Sequence, residues 1–180
     1  MSMLSFEHSK AAYLADFWLY GTCTLVLMSH LAWSAPTPLR WALTLCVCLG
    51  VLTWSAMEYV LHRFVLHQFP VFRIWHEVHH ARPRALICTP TFLSALLIGA
   101  LVFLPLYLLM DRWLAQGITL GVLLGYLGYA VTHHAIHHWR AGNAWLEGRR
   151  HWHAMHHRPH PRSACFGVTS GFWDWVFRSD

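Results

Sequence analysis

Sixteen histidines stand among 180 residues, outnumbering the thirteen Lys and Arg and doubling the eight Asp and Glu. Charged chemistry must therefore run mostly through imidazole, which titrates near neutrality and is the commonest metal ligand. Fourteen of the sixteen fall in two polar segments, and twelve of these form four clusters. The first is Glu58-Tyr59-Val60-Leu61-His62-Arg63-Phe64-Val65-Leu66-His67. Five residues along an α-helix turn the chain about 140° past a full turn and advance it ~7.5 Å, so His62 and His67 are expected to diverge, as if for different metals. Glu58 precedes His62 by one turn, placed to orient that ring or to pair with Arg63. The second cluster, His76-Glu77-Val78-His79-His80, sets three imidazoles on one face of a short helix, and the fourth, His153-Ala154-Met155-His156-His157, repeats it. The third, Thr132-His133-His134-Ala135-Ile136-His137-His138, offers two pairs, His133 with His137 and His134 with His138, about 100° apart round the helix. Spacing leaves open which pair faces a site.

A structural zinc site takes four ligands and a catalytic one fewer, so ten or more clustered histidines argue for two metal ions. Neutral imidazole suits iron, zinc, copper and nickel. Soluble di-iron bundles rely on Glu and Glu-x-x-His pairs, whereas these segments offer few carboxylates beside the histidines, such as Glu77, Glu147 and the nearby Asp174. The ligand shell is therefore expected to be nearly all nitrogen. Such a binuclear site at a membrane surface suits activation of O2 and attack on an inert C–H bond of a lipid, because imidazole resists oxidation better than thiolate and the bilayer supplies substrate.

The elements that must position these side chains are apolar. The chain is 56% hydrophobic, 15% aromatic and only 12% charged, about half the charged fraction of an ordinary soluble domain, with mean hydropathy +0.37. Crossing the ~30 Å hydrocarbon layer takes about 20 apolar residues, and four runs qualify, at about 14–34, 39–61, 91–110 and 114–132. Pro36 and Pro38 force a turn between the first two, and Asp111-Arg112-Trp113 makes the last two a tight hairpin. The expected fold is all-α: an integral membrane protein of four transmembrane helices, a single domain over 1–180, with segments 62–90 and 133–180 forming a histidine-rich cap.

Eleven of the thirteen basic residues lie on the side of the N-terminus, segment 62–90 and the C-terminus, against Arg40 and Arg112 opposite. The positive-inside rule then makes both termini and the cap cytoplasmic. His30 reads as an interfacial packing residue near the far end of the first span. Arg149 and Arg150 read as membrane anchors, with an acidic headgroup or acidic electron donor as the functional alternative. Nucleic acid is not an expected partner, since the basic residues flank apolar runs instead of forming a stripe. Cys23, Cys46, Cys48, Cys88 and Cys165 lack Cys-x-x-Cys spacing and read as reduced, and no cleavable signal peptide is expected at MSMLSFEHSK. Gly117, Gly121, Gly125 and Gly128 line one face of the fourth span, for close helix packing or for an acyl-chain groove. A haem electron carrier would need histidines facing at membrane depth, and a transporter polar groups near the midplane; the spans read as nearly free of both.

The segments EYVLHRFVLH at 58–67, HEVHH at 76–80, THHAIHH at 132–138 and HAMHH at 153–157, with the tail FGVTSGFWDWVF at 166–177, resemble the membrane fatty acid hydroxylase superfamily, most closely its fatty acid 2-hydroxylases. The resemblance covers about residues 55–178. It implies a di-iron centre, in which zinc can replace iron in a purified sample, that uses O2 and an external electron donor to hydroxylate a lipid acyl chain in the membrane. It also implies ten ligands: His62, His67, His76, His79, His80, His133, His137, His153, His156 and His157. Glu58, His134, His138 and Asp174 are then candidates to support those ligands, Asp174 by holding the cap or bonding a ligand ring; His151 and His160 are surface candidates. Trp54, Phe64 and Trp75 would line the acyl cleft. Such enzymes often carry Asp and Tyr where this chain has Ala130 and His134. With no cytochrome b5-like domain in these residues, electrons are expected from a separate cytochrome b5-like or ferredoxin-type protein. Carotenoid, sterol-type and other polar-lipid hydroxylases share the general histidine layout and are the alternatives within this chemistry.

Overall fold

The computed structural model describes residues 7–140, 142–158 and 164–180; His160 and Arg162 lie outside the described residues. Helix and turn account for all regular structure among them. Helix α1 (Lys10–Ser34) starts where Ser9 Oγ accepts from the Ala12 N–H and stops at the Pro36 and Pro38 turn. Helix α2 (Arg40–Val60) continues into a π-helical turn, Leu61–Leu66. Pro70 opens α3 (Pro70–Ala81), and Pro83 closes it by holding Arg82 at φ −135°, ψ 68°, outside the helical region. The third apolar run is α4 (Thr91–Ile98), a π turn at Gly99–Phe103 and α5 (Leu104–Leu109). That π turn directly precedes Pro105, whose missing N–H and bulky ring disrupt α-helical bonding to the turn before it. Asp111 Oδ1 accepts from the Trp113 and Leu114 N–H groups and launches α6 (Arg112–His138). Asn143 caps α7 (Ala144–His156), and α8 (Phe172–Phe177) ends on Arg178 in the left-handed region, φ 51°.

Among the described residues, four helical stretches are long and apolar enough to cross a membrane: Lys10–Ser34, Thr37–Leu66, Thr91–Leu109 and Arg112–His138. The second and fourth outrun their apolar cores and carry His62 and His133 to His138 on the same continuous helices.

The chain divides into two compact units. One comprises Ser9–Trp54 and Thr89–Leu127. Its core joins Leu31, Ala35, Leu43 and Leu120, and its helices pack through glycine. A Cβ on Gly121 would meet the Val47 carbonyl oxygen at 2.1 Å and Gly50 Cα at 2.7 Å. One on Gly125 would meet Trp54 Cβ at 2.5 Å, and one on Gly117 Cys46 Cβ at 3.0 Å, whereas Gly128 has nothing within 4 Å. Close packing thus accounts for three of the four glycines. Trp54, expected in the acyl cleft, is instead buried against Gly125 with its ring edge-on to Tyr126; it fills the space that the missing side chain leaves. His30 stacks on Trp113. One acid stands inside the first span: Asp16 is buried in α1 and accepts from Tyr126 Oη at 2.8 Å. Beside it Tyr20 Oη donates to Ser94 Oγ at 2.8 Å.

The other unit comprises Met1–His8, Ser55–Cys88 and Gly128–Asp180 and holds every histidine cluster. Two buried carboxylates clamp its C-terminal segment. Glu58 Oε1 accepts from the Val168 and Thr169 N–H groups, at 2.8 and 2.9 Å, and Oε2 from the Thr169 hydroxyl at 2.6 Å. Asp174, wholly buried, accepts from the Phe166 and Gly167 N–H groups, both at 2.8 Å, and from Ser179 Oγ at 2.9 Å. Gly167 admits no side chain, since a Cβ would stand 1.9 Å from the Ser170 carbonyl oxygen.

Candidate metal centre

The ten histidines expected as ligands converge in this unit. Ring nitrogens of His62, His67, His76, His80 and His156 lie within 4.8 Å of one another, and so do those of His79, His133, His137 and His153. His157 brings Nε2 to 2.9 Å from Nε2 of His153 and stacks on His80 with centroids 4.1 Å apart. Among the described residues no carboxylate enters either group.

One expectation from helix geometry changes. His62 and His67 do not diverge; both belong to the first group, with ring centroids 5.3 Å apart. The cause is the π turn between them, whose i→i+5 bonding stacks residues five apart where an α-helix would swing them away. The two His-x-x-His-His motifs each turn all three rings to the groups, as one helix face should, and each divides them between the two. In α3, His76 and His80 serve the first and His79 the second; in α7, His153 serves the second and His156 the first. Each helix lies against both groups, so one motif contributes to both.

In the third cluster the inward pair is His133 and His137. His134 and His138 stack on each other, centroids 4.5 Å apart, outside both groups. His151 is exposed. Glu58 touches neither His62 nor Arg63: its bonds go to Val168 and Thr169, while Arg63 donates to Tyr59 Oη. Asp174 likewise binds backbone and Ser179 in place of an imidazole. Both bear on His62 and His156 through the loop they clamp. His62 Nδ1 donates to the Phe166 carbonyl at 2.5 Å and His156 Nδ1 to the Ala164 carbonyl at 2.8 Å, which fixes the tautomer and leaves Nε2 as a lone-pair donor. Sequence reasoning missed these two carbonyls, because a main-chain acceptor has no residue-type signature. Phe64 is exposed and Trp75 packs against Phe72.

The Nε2 atoms point at one another. His62 and His80 each approach Nε2 of His76 at 3.0 Å, His67 approaches His156 at 3.0 Å, and His137 approaches His133 at 3.2 Å and His153 at 3.0 Å. One N–H on His76 cannot satisfy two neighbours, and facing lone pairs repel unless a cation lies between them. Imidazoles about 2.1 Å from a shared ion and at right angles to each other would have nitrogens about 3.0 Å apart. His79 makes the same point, being buried with neither ring nitrogen hydrogen-bonded. Burial, reinforced by neighbouring imidazoles, pushes His79 down to about 3, His80 to about 2, and His67 and His157 to about 4. His156 falls to about 4 through burial, with the Ala164 carbonyl pulling the other way. These rings are neutral at pH 7, the form that binds metal. The residues present fit two metal ions.

An all-helical chain with four candidate membrane spans and two histidine-only groups defines a class of membrane metalloprotein. The chain matches the fatty acid hydroxylase family over residues 47–179 and belongs to it. It is 32% identical to the ceramide very long chain fatty acid hydroxylase of Schizosaccharomyces pombe, over 73% of this chain and 41% of that one. With a dihydroceramide fatty acyl 2-hydroxylase of Arabidopsis thaliana it shares 31% identity, over 91% of this chain and 76% of the relative. The fatty acid 2-hydroxylase of Homo sapiens is 29% identical over 73% of this chain and 38% of its own length. The chain thus spans about two fifths of the fungal and human relatives. It shares the fold of the hydroxylase domain visible in a solved structure of full-length scs7p, with TM-score 0.79 and 24% identity over 93% of this chain and 66% of that one.

Proposed function

We propose that this protein is an O2-dependent hydroxylase of lipid acyl chains, acting at carbon 2 through two iron ions. The observation that carries this reading is the convergence of ten imidazoles into two carboxylate-free groups, in a chain whose named relatives are fatty acyl and ceramide hydroxylases. His62, His67, His76, His80 and His156 hold one ion; His79, His133, His137, His153 and His157 hold the other. Bound iron would supply O2 activation and oxidation of an unactivated C–H bond. The Phe166 and Ala164 carbonyls hold the Nδ1 protons of His62 and His156, so those rings meet the ion in one tautomer without shedding a proton. Glu58 and Asp174 keep those carbonyls in place, and a rigid ligand set fixes where the substrate carbon must come.

One oxygen atom enters the C–H bond and the other leaves as water, which takes two electrons and two protons from outside. A separate cytochrome b5-like or ferredoxin-type protein is the proposed electron source. The excess of basic residues beside the histidine segments supports a cytoplasmic metal site and cytoplasmic termini. Phe64 and Trp75 are the aromatic side chains proposed to meet the acyl chain.

The test is mass spectrometry of hydrolysed lipids from cells expressing wild type beside His156→Ala, with metal content measured on both purified proteins. The expected result is an acyl species one oxygen heavier with wild type alone, its fragments placing the hydroxyl at carbon 2, and two irons per wild-type chain. Wild type that carries two irons, receives electrons and yields no oxygenated lipid would overturn the reading, as would an intense Soret band.

A further inference from the structure

Beside the second histidine group, a cavity of about 500 Å³ opens at the end of α6, lined by Arg84, Arg140, Arg150, His137, His138 and Trp139. The volume is that of a small-molecule site, and no carboxylate lines it. Arg150 is already engaged: it donates to the Ile136 and Trp139 carbonyls and pairs with Glu147, capping the end of α6. Arg84 and Arg140 are exposed, and neither bonds a carboxylate or a carbonyl among the described residues. Their guanidinium groups favour carboxylate or phosphate as a bidentate partner. His137 belongs both to the cavity wall and to the second histidine group. An anion held here therefore sits next to the proposed metal site.

Carbon 2 of a fatty acid is bonded directly to the carboxyl carbon. A site that hydroxylates carbon 2 needs the carboxyl group almost at the metal, whereas the phosphate of a glycerolipid is separated from that carbon by the ester and glycerol. The shared wall at His137 fits the first geometry. We propose, resting on the hydroxylase reading above, that the cavity receives the carboxylate of a free long-chain fatty acid on Arg84 and Arg140. The preferred substrate is then the acid itself instead of a neutral N-acyl amide, and anchoring the carboxylate selects carbon 2.

The test uses the full chain, iron-loaded, in nanodiscs of phosphatidylcholine. Equilibrium binding of radiolabelled palmitic acid is compared with hexadecanol and an N-palmitoyl amide, for wild type and for R84Q/R140Q. The expected result is a preference of at least about tenfold for the acid in wild type, lost in the variant while its iron content stays at the wild-type level. Initial rates should follow the same ranking. Wild type without that preference, or a variant that keeps it, overturns the proposal. Displacement of the acid when phosphatidylserine is added to the nanodisc also overturns it, by making the cavity a lipid-headgroup site. Wild type that prefers the acid in binding yet forms no hydroxylated product overturns the hydroxylase reading and not the anion site.

Discussion

The first histidine group is braced from outside by main-chain acceptors at His62 and His156; in the second, His79 and His153 have no such brace among the described residues. His62 and His156 hand their Nδ1 protons to the Phe166 and Ala164 carbonyls, on a loop fastened by Glu58 and Asp174. In the second group both ring nitrogens of His79 and Nδ1 of His153 are buried without a hydrogen-bond partner among the described residues. A buried polar atom without a partner is costly. The first group is therefore preset by the protein, and the second is one that a bound ion would complete. Two groups of similar ligand chemistry thus differ in how much of their geometry survives without metal.

The sharpest way to break this contrast is to remove one ligand from each group. His79→Ala and His62→Ala should each lower product formation by at least about a hundredfold, since loss even of a residue that merely supports a ligand typically costs 10–100-fold. Metal analysis should show one ion lost from each variant, and retention of both ions would contradict the assignment. Next in size, Asp174→Ala strips the acceptor from the Phe166 and Gly167 N–H groups and should destabilise the protein by about 3 kcal/mol. Thermal unfolding in detergent would measure that loss, and the first group should lose its ion before the second in this variant alone.

Acidification gives a graded test of the metal-free protein. The folded pKa values of His67, His156 and His157, about 4, and of His79, about 3, lie below the ordinary 6.5. The unfolded chain therefore binds protons more readily. Stability is complete above about 6.5 and falls as pH drops through that value towards 4 and then 3. A denaturation midpoint that stays level from pH 7 to 4.5 would contradict neutral, buried rings. Stepwise chelation of the wild type should remove the second ion first, read as two phases of metal release. Smallest of all, His134→Ala, on the outward face of α6, should leave metal content unchanged and stability within about 0.5 kcal/mol.

Much of this organisation is legible in the sequence, because the physics behind it is carried by residue type. Uninterrupted apolar runs locate four candidate spans to within a few residues, except that the second and fourth continue to Leu66 and His138, past the point where apolar character ends. The histidine motifs identify all ten converging rings, His133 and His137 through family resemblance, since helical spacing treats both pairs of the third cluster alike. Legibility fails where backbone decides. Nothing in LHRFVL announces a π turn, so the α-helical assumption sends His62 and His67 apart. The sorting of His76, His79 and His80 between two groups depends on how α3 lies against its neighbours, not on its own pattern. Asp16 escapes notice because a single acid inside a long apolar run does not interrupt it, and only the fold brings Tyr126 to its side.

The π turn at Leu61–Leu66 has a consequence for the history and engineering of the site. A π turn is an α-helix that has taken in one extra residue. Excising Val65 from this segment would leave the two imidazoles four apart, the spacing at which an ordinary helix stacks side chains. The deletion would restore α-helical phase, so both rings would keep one face and the chain would still reach Pro70, which opens α3. A second inserted residue would act in the opposite sense, swinging His67 about 100° round the helix and away from His62. The segment thus tolerates the loss of a residue far better than the gain of one.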